Sequence, residues 1–382
     1  MGTRRANGEG TITHRADGRW HGRVAYEDPV TGERKRISVY GKTAKEARTK
    51  LAAARKRIEV GQPAHDAKVT VAEWLNTWRT SALEVSDRAA TTKALYTSLS
   101  RKHLEQGPMS TITLDRLRPN DIETLLVYLR DDQKLAASSR RSVYAVLRQA
   151  LDTAVRDGLL ATNPATRVQR PRVERQEAVH ISATDLTALL RATEASRYHR
   201  AIVLVAGTGL RRGEACALGW DDLDLTEGLL RVRGTVSRVG GRLVVAAPKT
   251  DRSRRTVPLS IELVAMLRAH RTTQNAERLR AGEHWVNTGR VFTTELGTVV
   301  DPRNLLRVVE SAAKSAGLPD DVGVHTLRHS AAVAWLESGV HIKAVADLLG
   351  HSSIAITGDI YGHTTDQTAR SAISGLSKAL GL

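Results

Sequence analysis

The sequence predicts an α+β chain of several domains: a small three-stranded β-sheet with one helix, then a helical bundle, then a mainly α domain carrying a small antiparallel sheet. Three observations carry this. A chain of 382 residues exceeds an ordinary single domain. Strand-and-turn signals are confined to residues 11–39 and to a stretch around 229–257, with helical spacing of apolar residues between and after them. Asn163-Pro164 closes one run of helical stripes, and the polar, basic stretch Arg167–Arg175 with Pro171 follows it as a linker. The domains are therefore expected at 1–66, 67–177 and 178–382.

The first domain reads as Thr11–Thr13, a turn at Asp17-Gly18, Trp20–Tyr26, a turn from Asp28 to Gly32, and Arg36–Val39. Ala47, Leu51, Ala54 and Ile58 then recur at helical spacing within Lys45–Ile58, so one helix packs the sheet. This segment holds 15 Lys or Arg against 8 Asp or Glu, with Arg15, Arg19, Arg23, Arg34, Lys35 and Arg36 on or beside the strands. Such a sheet can enter a DNA major groove, as β-ribbon readers do. A solvated charged face fits the same local pattern equally well.

The second domain shows stripes at Val71, Trp74, Leu75 and Trp78; at Leu95, Leu99 and His103; at Ile122, Leu125, Leu126 and Leu129; and from Val143 to Ala154. Four or five helices follow, with Trp74 and Trp78 as core residues. In the linker, Arg167, Arg170, Arg172 and Arg175 could track a DNA backbone.

The third domain opens with Ser182-Ala-Thr-Asp185, a capping box ahead of Leu186, Leu189 and Leu190. Strands are expected at Leu229–Val232, Leu243–Val245 and Arg255–Val257, and helices resume at Ile261. Four pieces here carry candidate chemistry. Thr208–Glu214 is a glycine-rich turn into a helix that presents Arg211 and Glu214, where a phosphate could sit or the two could simply pair. Pro248–Asp251 reads as the turn between two adjacent strands and offers Lys249. His325 and Arg328 are three apart on one helix face, with Leu327 inward and His329 as a satisfied packing histidine. His351 precedes Tyr361 by ten residues.

Whole-chain properties narrow the function. Lys and Arg number 58 against 41 Asp and Glu, a net charge of +17 with a pI near 10.4. That surplus favours a polyanion, because each cation on a phosphate releases counterions. Cys216, the single cysteine, excludes an intrachain disulfide and lies in an apolar run, which suits a buried structural thiol. MGTRRANGEG lacks the apolar core of a signal peptide, and no apolar stretch spans a bilayer; a cytoplasmic, nucleoid-associated protein without membrane partners is expected.

Together the stretches TGLRRGEACALGW, PKTDRSRRTVPL, HTLRHSAA and LLGHSSIAITGDIYGH, in that order, resemble the catalytic domain of the tyrosine recombinase family, to which phage integrases belong. The resemblance is close over roughly 178–365; more loosely, the first two domains look like an integrase's arm-binding and core-binding domains. It implies a catalytic set of Arg211, Lys249, His325, Arg328, His351 and Tyr361, supported by Glu214. Physical chemistry fits that implication. A phosphotyrosyl diester keeps the energy of the broken strand for rejoining. Nearby cations favour a phenolate whose ordinary pKa is about 10. Arg211, Arg328 and His351 would bind the phosphorane, Lys249 would protonate the leaving 5′-hydroxyl, and His325 would accept the tyrosine proton.

No cofactor is expected: neither a carboxylate cluster for Mg²⁺, zinc spacing nor a nucleotide loop is present. The resemblance further implies a homotetramer on double-stranded DNA with arm-type and core-type sites, and accessory partners such as a host DNA-bending protein and an excisionase. The apolar stripe Ala369, Ile373, Leu376 and Leu380 either folds back on its own domain or docks on a neighbouring protomer. A Xer-like resolvase or transposon recombinase, a non-enzymatic DNA-binding regulator and a strand-relaxing topoisomerase stand as alternatives.

Overall fold

The computed structural model describes residues 10–27, 34–59, 68–174, 179–247, 253–351, 353 and 358. The chain divides into two compact units, Met1–Glu174 and Arg175–Leu382.

The first unit begins with an antiparallel sheet of β1 (Thr11–His14), β2 (Trp20–Glu27) and β3 (Arg34–Gly41) in the order β1-β2-β3. Strand side chains alternate between faces. Val24 and Ile37 are buried with Leu51 and Ala54 of α1 (Ala44–Glu59), so one face of the sheet packs on that helix. Gly22 lies on this face too, where a Cβ would come 3.0 Å from Val39. The other face carries Arg23, Arg34, Arg36 and Tyr40.

The helical part of the first unit contains α2 (Val71–Trp78), α3 (Ala90–Leu99), α4 (Pro119–Asp131) and α5 (Ala137–Arg156). Thr70 and Glu73 form a capping box that starts α2. Trp74 and Trp78 are core residues, and the Trp74 indole donates to Ala150 O at 2.9 Å. The stripe from Val143 to Ala154 is buried as its spacing requires. Leu95 is not: it stands about half exposed on α3, while Leu99 is partly buried. Both α2 and α3 widen at their C-terminal ends into π-helical turns, Arg79–Leu83 and Ser100–Leu104. These turns hold a buried ion pair, Arg79 Nε to Glu105 Oε1 at 2.6 Å, with Ser100 also donating to Glu105. His103, in the second of these turns, is buried and Leu99 before it partly so, so the stripe read through 95, 99 and 103 is covered at its C-terminal end and open at Leu95.

The second unit packs α6 (Ala183–Ala192), α7 (His199–Thr208), α8 (Arg212–Ala217), α9 (Ile261–Ala281), α10 (Pro302–Ser315) and α11 (Val324–Glu337) around a main core, and α12 (Ile342–Leu349) against α11 in a smaller cluster of Ala332, Val345 and Leu349. Ser182 caps α6 by accepting from Asp185 N at 3.1 Å. Two small antiparallel sheets complete the unit, one of β4 (Leu223–Asp224), β5 (Leu229–Val232) and β8 (Arg255–Pro258), the other of β6 (Thr235–Val239) and β7 (Arg242–Ala246). β4 and β6 lie beyond the three strands read from the sequence, and β7 and β8 are not adjacent. The reason is local. Gly240 and Gly241, at φ 54° and 83°, form a two-residue turn between Val239 and Arg242 and commit β7 to β6. The strands β7 and β8 therefore lie in different sheets and form no hairpin with each other. Among the described residues no helix is long and apolar enough to cross a membrane.

Candidate active site

Three segments of the second unit meet around one carboxylate. The first is the passage from α7 into α8. Gly209 ends α7 at φ 64°, the left-handed region that favours glycine, and a Cβ there would strike Leu349 Cδ2 at 2.7 Å. Arg211 then takes the N-cap position of α8 with extended backbone. One helical turn on, Glu214 reaches back to the Arg211 N–H at 2.9 Å and to its Nη1 at 2.7 Å. Of the two alternatives left open by the sequence, the pairing is present: Arg211 is bound to Glu214, and its side chain is 35% exposed at the helix start.

Strand β8 supplies the second segment. Its first residue, Arg255, lies across from Glu214 with both side chains 5% exposed. Arg255 donates from Nη2 to Glu214 Oε2 at 2.8 Å and from Nη1 to Glu214 Oε1 at 3.2 Å. Sequence reasoning missed this residue, treating it only as the start of a strand. Its signal was available in the stretch PKTDRSRRTVPL, six positions after Lys249.

The third segment is the end of α12. Gly350 closes that helix at φ 66°, and its last carbonyls lack helical partners. Three guanidiniums fill the gap, on three consecutive residues. Arg255 Nε donates to Leu348 O at 2.6 Å, Arg328 Nη2 to Leu349 O at 2.6 Å, and Arg211 Nη2 to Gly350 O at 3.2 Å. Cations at a helix C-terminus also oppose the negative end of its dipole. Arg328, on α11, donates from Nη1 to Gly209 O at 2.6 Å and is almost wholly buried.

The electrostatics follow from this crowding. Burial would raise the Glu214 pKa, but hydrogen bonds and charge from Arg255, then Arg211, outweigh it and hold the carboxyl below its ordinary value. Burial and then Arg211 push Arg328 down to about 9, which leaves it cationic at neutral pH. Burial, then Arg328 and Arg211, lowers His351 to about 4. His325 is lowered by partial enclosure and then by Arg212, Arg328 and Arg211. Two guanidiniums thus bind one carboxylate and a third, Arg328, stands within its electrostatic reach, with neutral imidazoles beside them.

His325 is exposed, unlike Arg328 three residues on, and Leu327 is fully buried as expected. His329 departs from the expectation of a satisfied packing residue, because its Nδ1 is buried without a hydrogen-bond partner among the described residues. His351 and the adjoining Gly350, Asp347, Lys343, Arg254 and Arg255 line an open cleft. Lys249 and Tyr361 lie outside the described residues. Cys216 is buried, and burial pushes its thiol up to about 12. Among the described residues no three His, Cys, Asp or Glu side chains gather as metal donors could.

The basic residues of the first unit form a second group. Arg23, Arg34 and Arg36 are exposed on the sheet face opposite α1. His21 is buried beneath Tyr40, the rings stacked at 4.6 Å, and its Nε2 accepts from Arg23 Nε at 3.3 Å. Burial, then Arg23 and Arg15, lowers the His21 pKa. The Arg15 guanidinium stands 6.0 Å over the Tyr40 ring. Arg19 is beside the sheet, in the β1–β2 turn and 3.6 Å from Asp17. Lys35 pairs with Tyr26 in the β2–β3 register, and its side chain lies outside the described residues. Arg167, Arg170 and Arg172 are exposed along the stretch after α5, and Arg175 is outside the described residues.

Residues 174–368 match the phage integrase family. A XerC-like tyrosine recombinase from Caldanaerobacter subterraneus subsp. tengcongensis is 31% identical over 90% of this chain and 91% of its own. An integrase from Saccharopolyspora erythraea is 26% identical over 95% of both chains. Among solved structures, the Tn1549 transposon integrase in complex with transposon right-end DNA aligns with 81% of this chain and all of that one, at TM-score 0.66 and 22% identity. The lambda integrase tetramer bound to a Holliday junction aligns with 95% of this chain and 99% of its own, at TM-score 0.58 and 20% identity. The family match spans all three segments that converge on Glu214, and the chain belongs to the phage integrase family of tyrosine recombinases, enzymes of site-specific recombination.

Proposed function

We propose that the chain is an integrase that cleaves and rejoins attachment-site DNA through a 3′-phosphotyrosyl intermediate at Tyr361, inserting and excising a phage or other mobile element. The observation that carries this is the excess of positive charge where Arg211 and Arg255 share the carboxylate of Glu214 and Arg328 stands near it, held on backbone carbonyls. A phosphodiester, and still more its phosphorane, supplies the missing negative charge.

In the proposed reaction the Tyr361 oxygen attacks phosphorus, the bond to the 5′-oxygen breaks, and the 3′ end stays on the protein. His325 takes the tyrosine proton; its lowered pKa leaves it neutral, and its exposure gives it access. Lys249 gives a proton to the departing 5′-oxygen. Arg211, Arg328 and His351 bind the non-bridging oxygens. A 5′-hydroxyl from a second duplex then attacks the phosphotyrosine and releases Tyr361. No cofactor enters these steps.

Residues 1–66 would bind arm-type sites through Arg15, Arg19, Arg23, Arg34, Lys35 and Arg36, and residues 67–177 core-type sites, with Arg170 and Arg172 along the backbone. The working form is a homotetramer on two duplexes, and a host DNA-bending protein and an excisionase set direction. A nicked suicide duplex tests the core of the reading. Wild type should form a covalent 3′ adduct and join two different duplexes, whereas Tyr361→Phe should form none; an undiminished adduct in Tyr361→Phe rejects the assignment. The XerC-like relative favours a second reading, resolution of chromosome dimers. Deleting residues 1–66 separates the two, since integration at arm-bearing sites would fail and resolution at minimal core sites would persist.

A further inference from the structure

We infer that Arg255 is a positioning residue for strand cleavage: it fixes Arg211, the end of α12 and the start of β8 relative to one another without itself touching the DNA. The inference rests on the active-site reading above.

The first ground is saturation. A guanidinium has five N–H donors. Arg255 directs its Nε to Leu348 O, its Nη1 to Glu214 Oε1 and Ser253 O, and its Nη2 to Glu214 Oε2. Four of the five are thereby engaged, in a side chain only 5% exposed. Arg211 differs: it is 35% exposed, with one contact from each terminal nitrogen. The two arginines share Glu214 but are divided in task. Arg211 keeps more free donors and far greater exposure for a phosphate, whereas Arg255, at the wall of the cleft beside His351, has one donor left and a side chain only 5% exposed.

The second ground is connectivity. Through Glu214, whose oxygens each take one bond from Arg211 and one from Arg255, the Arg255 side chain sets the position of the Arg211 N-cap. Through Leu348 O it holds the residue two before Gly350, at the helix end that leads into His351 and then, ten residues on, Tyr361. Through Ser253 O and its own place at the head of β8 it fixes the chain just after the segment that bears Lys249. One side chain therefore joins the pieces that carry the phosphate-binding arginine, the general acid and the nucleophile. A planar fork can bridge such divergent acceptors; the point charge of lysine cannot.

The test uses the full-length protein on the nicked suicide duplex under single-turnover conditions, with DNA affinity measured separately in the Tyr361→Phe background. Arg255→Gln should slow adduct formation on the order of 100-fold, the scale of a small displacement of reacting groups, while the DNA Kd stays as in Tyr361→Phe alone. Arg255→Lys should keep DNA binding but recover only part of the rate. In a Glu214→Gln background, Arg255→Gln should add much less than it does alone, because both act through the same bonds. A wild-type rate in folded Arg255→Gln overturns the inference, as does a rate loss that saturating DNA restores or a parallel rise in Kd, either of which marks a phosphate contact. Full activity in Arg255→Lys overturns it too. If neither variant folds, Arg255 is a fold residue and the assignment is rejected. Failure of the underlying reading looks different: wild type would then form no adduct, or Tyr361→Phe would still form it.

Discussion

The two arginine groups of this molecule differ in what holds them. On the open face of the N-terminal sheet, Arg23, Arg34 and Arg36 stand in solvent, and among the described residues only Arg23 has a neighbour that steers it, the buried His21 under Tyr40. In the second unit, Arg255 and Arg328 are buried and bound to backbone carbonyls and Glu214. An exposed cation acts mainly through counterion release, which salt erodes. A buried one acts as a prearranged charge that requires little reorganisation when negative charge develops, and salt reaches it less. Similar side chains thus suit affinity in one region and rate in the other.

The largest effect expected from breaking this contrast is at Arg328. Arg328→Ala removes a buried donor to Gly209 O and Leu349 O together with a cation of the site. Single-turnover cleavage of the suicide duplex should fall by about 10²–10³-fold, the scale for loss of one oxyanion-stabilising donor, with little dependence on salt. A loss that vanishes at low salt would place Arg328 with the exposed group. The sheet arginines should behave in the opposite way. Arg23→Gln and Arg36→Gln should each reduce the slope of log affinity against log salt for arm-site DNA by about 0.9, leaving cleavage of a core-site suicide duplex unchanged. Binding titrations across a salt series measure this, and an unchanged slope would mean a solvated face.

The smallest effect expected is on stability. The unfolded chain takes up a proton at the ordinary histidine value of 6.5, while folded His351 resists protonation down to about 4. Stability should therefore be undiminished above the first value, fall as pH drops between the two, and level off below the second. Melting of the DNA-free protein should show a decline across this window, and His351→Asn should flatten that part of the curve.

Much of this contrast was legible in the sequence, and the misses share a cause. The N-terminal sheet, its helix and the stripe on α5 could be read because each is set by local periodicity. The motif residues Arg211, Glu214 and Arg328 stood out through their glycine-rich or helical surroundings. Arg255 did not, since its partners lie 41 and 93 positions away at Glu214 and Leu348. Strand β6 and the separation of β7 from β8 likewise depend on which strand the Gly240-Gly241 turn recruits. Leu95 is exposed although its spacing matches Leu99, because periodicity marks an apolar stripe and not what covers it. Long-range pairing and the covering of a helix face leave little trace in a periodic pattern.

The buried state of Cys216 has a practical consequence. A thiol pushed up to about 12 and shut inside the core is almost entirely protonated at neutral pH and closed to maleimide reagents. The chain therefore already behaves as a cysteine-free background for fluorescent labelling. Ser377→Cys, placed among the apolar stripe residues near the C-terminus, would be its single labelling position. Energy transfer between donor- and acceptor-labelled copies could then follow assembly of protomers on DNA in real time.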